Sequence, residues 1–326
     1  MNSIFSEKIS NIGLGTWQLG LKGWGKGYER NTLIEALQTG LKNGLNFIDT
    51  AEIYGNGMSE TLIGEALESL KREDFKIATK VAGFNATSRR VFQSLKKSLK
   101  RLRTDYVDLY QVHWEPSAYT NVKELFRTLE KIAKEGYIKH IGVSNFSEKG
   151  IEIANNSMKD FRIESNQIKF NIIERPGDAL LDFMKNEGIK VIAWSPLAQG
   201  FLSGKYTKYN RPSGYVRRIN RLFSPRYFER FEPLLSKLSD IAHEKGATVS
   251  QIVLSYEVAL GAFPIPGFRT TEQVMEIVKA SNLSLSTEEK SLIDKASSEC
   301  GIIHTSGSFY PRYLPNFIAR IGTYFI

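Results

Sequence analysis

The sequence predicts an α/β fold of the (β/α)8 class, a TIM barrel with one long loop and two extra helices. Short strand-like runs alternate with helical periods from the N-terminus to about residue 280. Several of the runs, such as VDLYQV at 107–112 and KVIAW at 190–194, are almost continuously apolar. Strands buried on both faces of a parallel sheet have this pattern. Eight strand–helix units favour a closed barrel, because a doubly wound sheet has fewer strands.

The eight predicted strands are rich in β-branched and aromatic residues. They cover residues 12–16, 46–49, 76–81, 107–112, 138–143, 164–169, 190–194 and 262–265. Alternation with helices predicts parallel pairing through right-handed crossovers.

The helices between the strands have apolar residues at helical spacing. They are predicted at 32–43, 59–70, 88–103, 122–135, 148–155, 178–186, 248–260 and 271–280. Ser59 is a predicted N-cap, and Gly136 and Gly188 follow their helices where C-cap glycines usually lie. The two extra helices, 229–245 and 287–297, lie outside the barrel count. Residues 197–228 have little periodicity, which is typical of a functional lid or binding loop.

Length and composition predict a single domain over residues 1–326, because barrels of this class reach that size as one unit. The net charge of +9 invites a nucleic-acid interpretation, and the densest basic run is 96–103. Leu95, Leu99 and Leu102 lie beneath that run at helical spacing, which indicates the solvated face of an amphipathic helix. Aromatic interleaving and nucleic-acid motifs do not accompany the run, so we expect no nucleic-acid partner.

The compartment follows from two further features of the sequence. No apolar run approaches the roughly 20 residues that span a bilayer, so we expect no membrane span. Glu7 and Lys8 interrupt the N-terminal segment, which argues against a signal peptide. A lone cysteine, Cys300, excludes an internal disulfide and a cysteine-based metal site. We therefore predict a cytoplasmic protein without a metal site.

Titratable residues end three consecutive predicted strands. Asp49 ends the second strand, Lys80 the third and His113 the fourth, and Tyr54 follows in the loop after Asp49. In such a barrel the active site is built at the C-terminal ends of the strands, so these side chains are expected to meet there. The alternative for each residue is structural: a turn residue for Asp49, a surface aromatic for Tyr54, and a solvated strand end for Lys80.

The chain resembles the aldo-keto reductase superfamily, in the form of its bacterial and archaeal type branch. The resemblance is carried by GLGTWQLG at 13–20, FIDTAEIYGNGMSE at 47–60, TK at 79–80, the histidine of VHW at 112–114, GVSNF at 142–146, NQ at 166–167, WSPLAQGFLSGKY at 194–206 and IPGFRTTEQ at 265–273. It implies an NADP-dependent enzyme that reduces aldehydes or ketones, with Asp49, Tyr54, Lys80 and His113 as catalytic residues. Tyr54 is then the general acid, and we expect Lys80 to lower its pKa.

The resemblance also implies a cofactor laid across the barrel mouth, which agrees with the lack of a G-x-G-x-x-G fingerprint in the sequence. The implied contacts are Thr16, Trp17, Ser144, Asn145, Gln167, Trp194, Ser195, Pro196, Leu197, Gly200, Lys205, Ile265, Gly267, Arg269 and Gln273. The loop 195–205 would cover the pyrophosphate. Arg269 favours NADPH because a guanidinium binds a phosphate with two hydrogen bonds. Ile277 stands where the family often has an adenine-binding asparagine, so NADH remains the alternative.

The substrate side and the C-terminal tail are less defined by sequence. Trp17, Trp24 and Trp114 fall in loops at the predicted mouth, where they either pack around the rim or line an apolar substrate pocket. We take Trp24 and Trp114 as substrate contacts. The aromatic tail 306–326 is predicted to fold over the mouth or to pack on a second subunit, and a membrane-surface anchor is the weaker alternative. The oligomeric state stays open.

A second class of function remains open alongside the enzyme. Potassium-channel β subunits resemble the same family, bind NADPH and act mainly as partners of other proteins. They keep the catalytic residues, so the residues themselves do not discriminate. The lack of a long N-terminal extension favours the enzyme, whose partner would be a small carbonyl compound.

Overall fold

The structure is a computed structural model that describes residues 9–20, 29–212, 217 and 220–305. Eight parallel strands form one sheet, in which each barrel strand pairs with the next barrel strand along the chain. The last strand returns to the first, because the amides of Gly13 and Gly15 donate to the carbonyls of Pro264 and Pro266. Gly15 also forms a parallel bridge with Gly267. The predicted (β/α)8 barrel is confirmed.

The strands match the predicted positions closely. They are β1 Leu14–Gly15, β2 Phe47–Asp49, β3 Lys76–Val81, β4 Val107–Val112, β5 Ile138–Ser144, β6 Ile163–Lys169, β7 Glu174–Arg175, β8 Lys190–Trp194, β9 Phe263–Pro264 and β10 Ile303–His304. The first and last barrel strands are shorter than expected. Pro264 and Pro266 lack an amide hydrogen, so at these two positions the strand accepts a hydrogen bond from β1 and cannot return one.

The helices also lie where they were predicted, with ends shifted by a few residues. They are Arg30–Lys42, Met58–Ala66, Val91–Leu102, Val122–Lys134, Glu148–Asn155, Asp178–Asn186, Pro225–Glu244, Val249–Ala259, Thr271–Ser281 and Thr287–Cys300. Gly136 and Gly188 have positive φ angles of 86° and 70°, as expected for C-cap glycines. No helix in the described residues combines the length and the apolar character that crossing a bilayer requires.

Two features differ from the sequence-based expectation. Strands β7 and β10 form a separate parallel pair, in which Ile303 aligns with Glu174; two-residue strands are too short to produce a periodic pattern. The N-cap prediction for Ser59 is wrong, because the helix begins at Met58 after Gly57. The Ser59 hydroxyl instead points inward and donates to Thr16.

Apolar side chains fill the barrel and surround it. The interior cluster comprises Phe47, Ala78, Leu109, Ile192, Phe263 and Ile265. Phe47 and Phe263 meet edge to face, with ring centroids 5.0 Å apart. The basic helix Val91–Leu102 buries Leu95, Leu99 and Leu102 and exposes its lysines, as predicted. This close packing fixes the strands beneath the residues at their C-terminal ends.

A buried acid stands out in the helix Val249–Ala259. Glu257 is fully buried, and neither of its carboxyl oxygens has a hydrogen-bond partner among the described residues. Burial raises the pKa of Glu257 well above its ordinary value of 4.5. The folded state therefore holds this proton more tightly than the unfolded chain does.

Replacing Glu257 by leucine is expected to stabilise the fold, by on the order of 1–3 kcal/mol for the unpaired buried group. Because the folded pKa of Glu257 is raised, the contribution of this residue to stability is most favourable below pH 4.5 and is lost as the pH rises. The gain from Glu257→Leu should therefore widen as the pH rises above 4.5, measured as the free energy of unfolding in urea. Glu257→Gln is the matched control, since it keeps the unpaired polar group but removes the titration. A gain that is the same at every pH would contradict this account.

Candidate active site

A cavity of about 430 Å³ opens at the C-terminal ends of the strands. Its walls come from β1, β2, β5, β6 and β8, from the loops that follow β2 and β4, from the irregular segment after β8, and from the turn before the helix Thr271–Ser281. Parallel barrel strands direct their C-terminal loops to one face, which explains why distant segments meet here. The volume lies within the range of about 300–1,000 Å³ that small-molecule and cofactor sites occupy.

The Lys80 ammonium group occupies the centre of the polar floor. Its Nζ lies 2.6 Å from Asp49 Oδ1, 2.8 Å from the Thr50 carbonyl oxygen and 3.2 Å from the Tyr54 hydroxyl. Lys80 is fully buried, and Asp49 and Tyr54 are buried with it. The ammonium therefore donates all three of its hydrogens, and the solvated or surface alternatives for these residues are wrong.

The loop that carries Tyr54 is fixed by close backbone contact. Gly55 has a φ angle of 58°, and a Cβ atom there would lie 2.4 Å from the Gly20 carbonyl oxygen. Only glycine permits this conformation and this approach without strain. Trp17 then stacks on Tyr54, with ring centroids 6.3 Å apart. The Tyr54 hydroxyl is thereby held over Lys80.

Burial decides the pKa of Tyr54. Desolvation raises the pKa of Tyr54 above 10.0, the Lys80 charge opposes this shift, and the Asp49 charge adds to it. Lys80 does lower the pKa of Tyr54, as expected, but the cost of burying a phenolate is the larger effect, so the net shift is upward. Burial is the largest single effect on Lys80 and works against its charged form, but Asp49 and Tyr54 together outweigh burial and raise the pKa of Lys80 above 10.5.

His113 lies beside Tyr54 at the mouth, with ring centroids 5.7 Å apart. Burial, reinforced by the nearby Lys80 charge, holds the pKa of His113 well below 6.5. The imidazole is therefore neutral at physiological pH. Its Nδ1 has no hydrogen-bond partner among the described residues.

The turn after β5 is hydrogen-bonded to residues at the C-terminal ends of β4, β6 and β8. Asn145 adopts a positive φ angle of 56° and donates to Ser144 Oγ and to the His113 carbonyl oxygen. Its side-chain oxygen accepts a hydrogen bond of 3.0 Å from the Trp194 indole. Ser144 Oγ donates in turn to the Gln167 carbonyl oxygen. Four of the predicted cofactor contacts, Ser144, Asn145, Gln167 and Trp194, are therefore linked by hydrogen bonds at the mouth.

The irregular segment after β8 and the turn before Thr271 form the far wall. Ser195, which has a φ angle of 59°, lines the cavity, and its buried Oγ has no hydrogen-bond partner among the described residues. Gly200 has a φ angle of 101°, so its backbone faces the cavity without a side chain. Arg269 lines the same wall, and its amide donates to Gln273 Oε1. The unpaired Ser195 hydroxyl and the Arg269 guanidinium suit a phosphate-bearing ligand.

The structure brings the sequence-predicted residues together. All fifteen predicted cofactor contacts line the cavity, as do Asp49, Tyr54, His113 and Trp114, and Lys80 lies directly beneath. Trp114 is only 5% exposed. Its ring packs against the Phe84 ring and lies so close to Gly83 that a Cβ atom there would be 2.2 Å from the indole nitrogen. The predicted substrate contact Trp24 and the tail 306–326 lie outside the described residues.

Two residues that line the cavity and one buried close to Asp49 were not predicted from sequence. Lys169 follows Gln167 on β6 and pairs with Glu174 at 2.7 Å. Arg217 lies in the long loop and donates to the Tyr206 hydroxyl at 2.9 Å. Gln111 is fully buried on β4 and lies 3.4 Å from Asp49 Oδ2. A polar residue inside an otherwise apolar strand was the signal that could have identified Gln111.

Comparison with known proteins agrees with this geometry. The profile of the aldo/keto reductase family matches residues 11–298. An uncharacterized oxidoreductase, Rv2298 of Mycobacterium tuberculosis, is 34% identical over 293 residues, which cover 89% of this chain and 90% of that protein.

Two solved structures are similar over most of their length. A thermostable aldo-keto reductase, Tm1743, solved with the inhibitor epalrestat, has a TM-score of 0.74 and 33% identity over 90% of this chain and 97% of its own. An aldo/keto reductase from Klebsiella pneumoniae, solved with NADP and acetate, has a TM-score of 0.71 and 28% identity over 88% and 91%.

Removing only the cation of the buried ion pair should destabilise the protein strongly. Lys80→Met leaves the Asp49 carboxylate buried without its charge partner, which is expected to cost about 3–5 kcal/mol of unfolding free energy. The double variant Asp49→Asn/Lys80→Met removes both charges and should cost less than Lys80→Met alone. Urea denaturation of wild type, both single variants and the double variant measures the coupling. Additive losses would contradict a charge-paired buried site.

Proposed function

The chain belongs to the aldo/keto reductase family, and we propose that it reduces aldehydes or ketones to alcohols with NADPH, with Tyr54 as the general acid. The observation that carries the proposal is the buried array of Asp49, Lys80 and Tyr54 beside His113 at the cavity mouth. An acid held in this way can protonate an oxygen that gains negative charge.

Tyr54 is arranged to give up a proton. Its oxygen accepts a hydrogen from Lys80, so its own hydroxyl hydrogen is available to another acceptor in the cavity. The raised pKa of Tyr54 keeps the hydroxyl protonated at neutral pH. When the proton leaves, the Lys80 ammonium stabilises the phenolate, and Asp49 keeps Lys80 charged and oriented.

His113 complements the acid as a neutral hydrogen-bond donor. Because its pKa lies well below 6.5, the imidazole adds no second positive charge beside Lys80. Donation from the ring to a carbonyl oxygen polarises that bond and places the oxygen next to Tyr54. Trp17, Ile53 and Trp114 provide apolar surface on the same side of the cavity, which favours uncharged or aromatic carbonyl compounds.

The residues of the far side fit a nicotinamide dinucleotide. When bound, such a cofactor supplies the hydride for the carbonyl carbon. Ser144, Asn145 and Gln167 offer amide and hydroxyl groups for a carboxamide, and Trp194 offers a flat aromatic face. Ser195 Oγ offers a hydrogen bond to the pyrophosphate, and Gly200 puts no side chain in its way. The NADP complex of the similar Klebsiella enzyme also supports this cofactor class.

Removing the Tyr54 hydroxyl should abolish most turnover. Tyr54→Phe keeps the stacking on Trp17 but leaves no proton donor, so kcat is expected to fall about 10²–10⁴-fold. Loss of NADPH absorbance with a panel of aldehydes and ketones measures the rate, and NADPH binding to the variant should stay unchanged. Turnover equal to the wild type would reject the mechanism. Tight NADPH binding by a wild type that turns over no carbonyl compound would favour the regulatory alternative.

Arg269 is expected to set the preference for NADPH over NADH. Arg269→Gln removes the guanidinium that would bind a 2′-phosphate, a charge-assisted hydrogen bond that corresponds to about 10–100-fold in affinity. The Kd for NADPH should rise by that factor, and the Kd for NADH should change little. Arg211→Gln, at an exposed position, is the control for loss of one positive charge. An equal loss for both cofactors would show that Arg269 does not discriminate between them.

A further inference from the structure

We propose that the side-chain amides of Gln111 and Gln167, here termed the amide pair, are positioning residues for the general acid. They hold the Asp49 carboxylate in the orientation in which it directs Lys80 toward Tyr54. This inference rests on the proposed function. It gives Gln167 a role separate from any contact with a cofactor and assigns a role to Gln111.

The two amides converge on one oxygen atom. Gln167 Nε2 donates to Asp49 Oδ2 at 2.7 Å, and Gln111 Nε2 donates to the same oxygen at 3.4 Å. Gln167 Nε2 also lies 3.5 Å from Gln111 Oε1, which links the pair. The other carboxylate oxygen, Oδ1, accepts from Lys80. The carboxylate is therefore held by a cation on one side and by two neutral donors on the other.

The position beside Asp49 Oδ2 requires uncharged hydrogen-bond donors. A buried carboxylate accepts hydrogen bonds only, and each of its oxygens needs donors once water is removed. Lys80 on β3 contacts the Asp49 carboxylate, the Tyr54 hydroxyl contacts the same ammonium, and His113 lies beside the Tyr54 ring. A second cation would compete with Lys80 for the carboxylate. A side-chain amide donates a hydrogen bond to the carboxylate oxygen without adding a charge near Tyr54, whose hydroxyl therefore stays protonated.

The neighbouring strand leaves room for Gln111. Gln111 pairs in register with Lys80 on β3 and with Gly142 on β5. A Cβ atom at Gly142 would lie 3.1 Å from Gln111 Cγ and 2.5 Å from Ser165 Oγ. The absence of a side chain at Gly142 therefore gives the Gln111 side chain space inside the barrel, where it reaches Asp49.

The pH dependence of two Gln111 variants tests the pair. Gln111→Met keeps the shape but removes the donor, and we expect kcat for carbonyl reduction to fall about tenfold with little change in KM for NADPH. Gln111→Glu places a second carboxyl against Asp49. At low pH its proton can still be donated, whereas at higher pH two carboxylates face each other, so kcat should fall as the pH rises through a range in which the wild-type rate is flat. The Gln111→Met variant should not show this additional pH dependence.

A stability measurement separates this proposal from the proposed function. Asp49→Asn leaves Lys80 buried without an anion, and adding Gln111→Glu returns a carboxylate to the same cluster. The double variant should therefore have a higher Tm than the sum of the two single losses predicts. This coupling is measured without turnover, so it tests the contact even if no carbonyl compound is reduced. Additive Tm losses, or wild-type kcat and an unchanged pH profile in both Gln111 variants, would overturn the proposal.

Discussion

The buried ion pair between Asp49 and Lys80 is the interaction on which the rest of the site depends. Taking both charges out of water costs several kcal/mol per ion, which the structure offsets only by satisfying their hydrogen-bonding groups. Lys80 has three acceptors, and Asp49 has donors on both oxygens. These partners lie on or directly after β2, β3, β4 and β6. The barrel must therefore close with this strand register before the buried ion pair has its hydrogen-bond partners. Fold and acid–base chemistry are thus tied to the same contacts.

Beyond the C-terminal ends of the strands, side chains form hydrogen bonds to the backbone in place of the bonds that a neighbouring strand would form. Asn166 accepts from the Phe146 amide and donates to the Phe146 carbonyl oxygen. Glu115 accepts from both the amide and the hydroxyl of Ser147. These contacts hold the turn in which Asn145 adopts its left-handed conformation. These hydrogen bonds keep the groups around the cavity in place beyond the ends of the strands.

The sequence was sufficient where one physical rule decided the outcome. Strands β3, β4 and β8 were predicted to the residue, because strands of a buried parallel sheet are rich in β-branched and aromatic residues. Ser59 was misassigned, since a serine near a helix start satisfies a capping rule, but here Thr16 and Thr50 offer buried partners. Gln111 was missed because its partner lies 62 residues away, a separation that no local pattern records.

The direction of the Tyr54 pKa shift changes how the site is understood. A depressed pKa would have made Tyr54 a partial phenolate, ready to accept a proton at neutral pH. Burial instead keeps the hydroxyl protonated, and the Lys80 charge opposes burial without exceeding it. The ammonium therefore contributes most after the proton has left, when the phenolate would otherwise be an unpaired buried anion. In this arrangement the cation stabilises the product of proton transfer, which is the condition for an acid that works in a desolvated cavity.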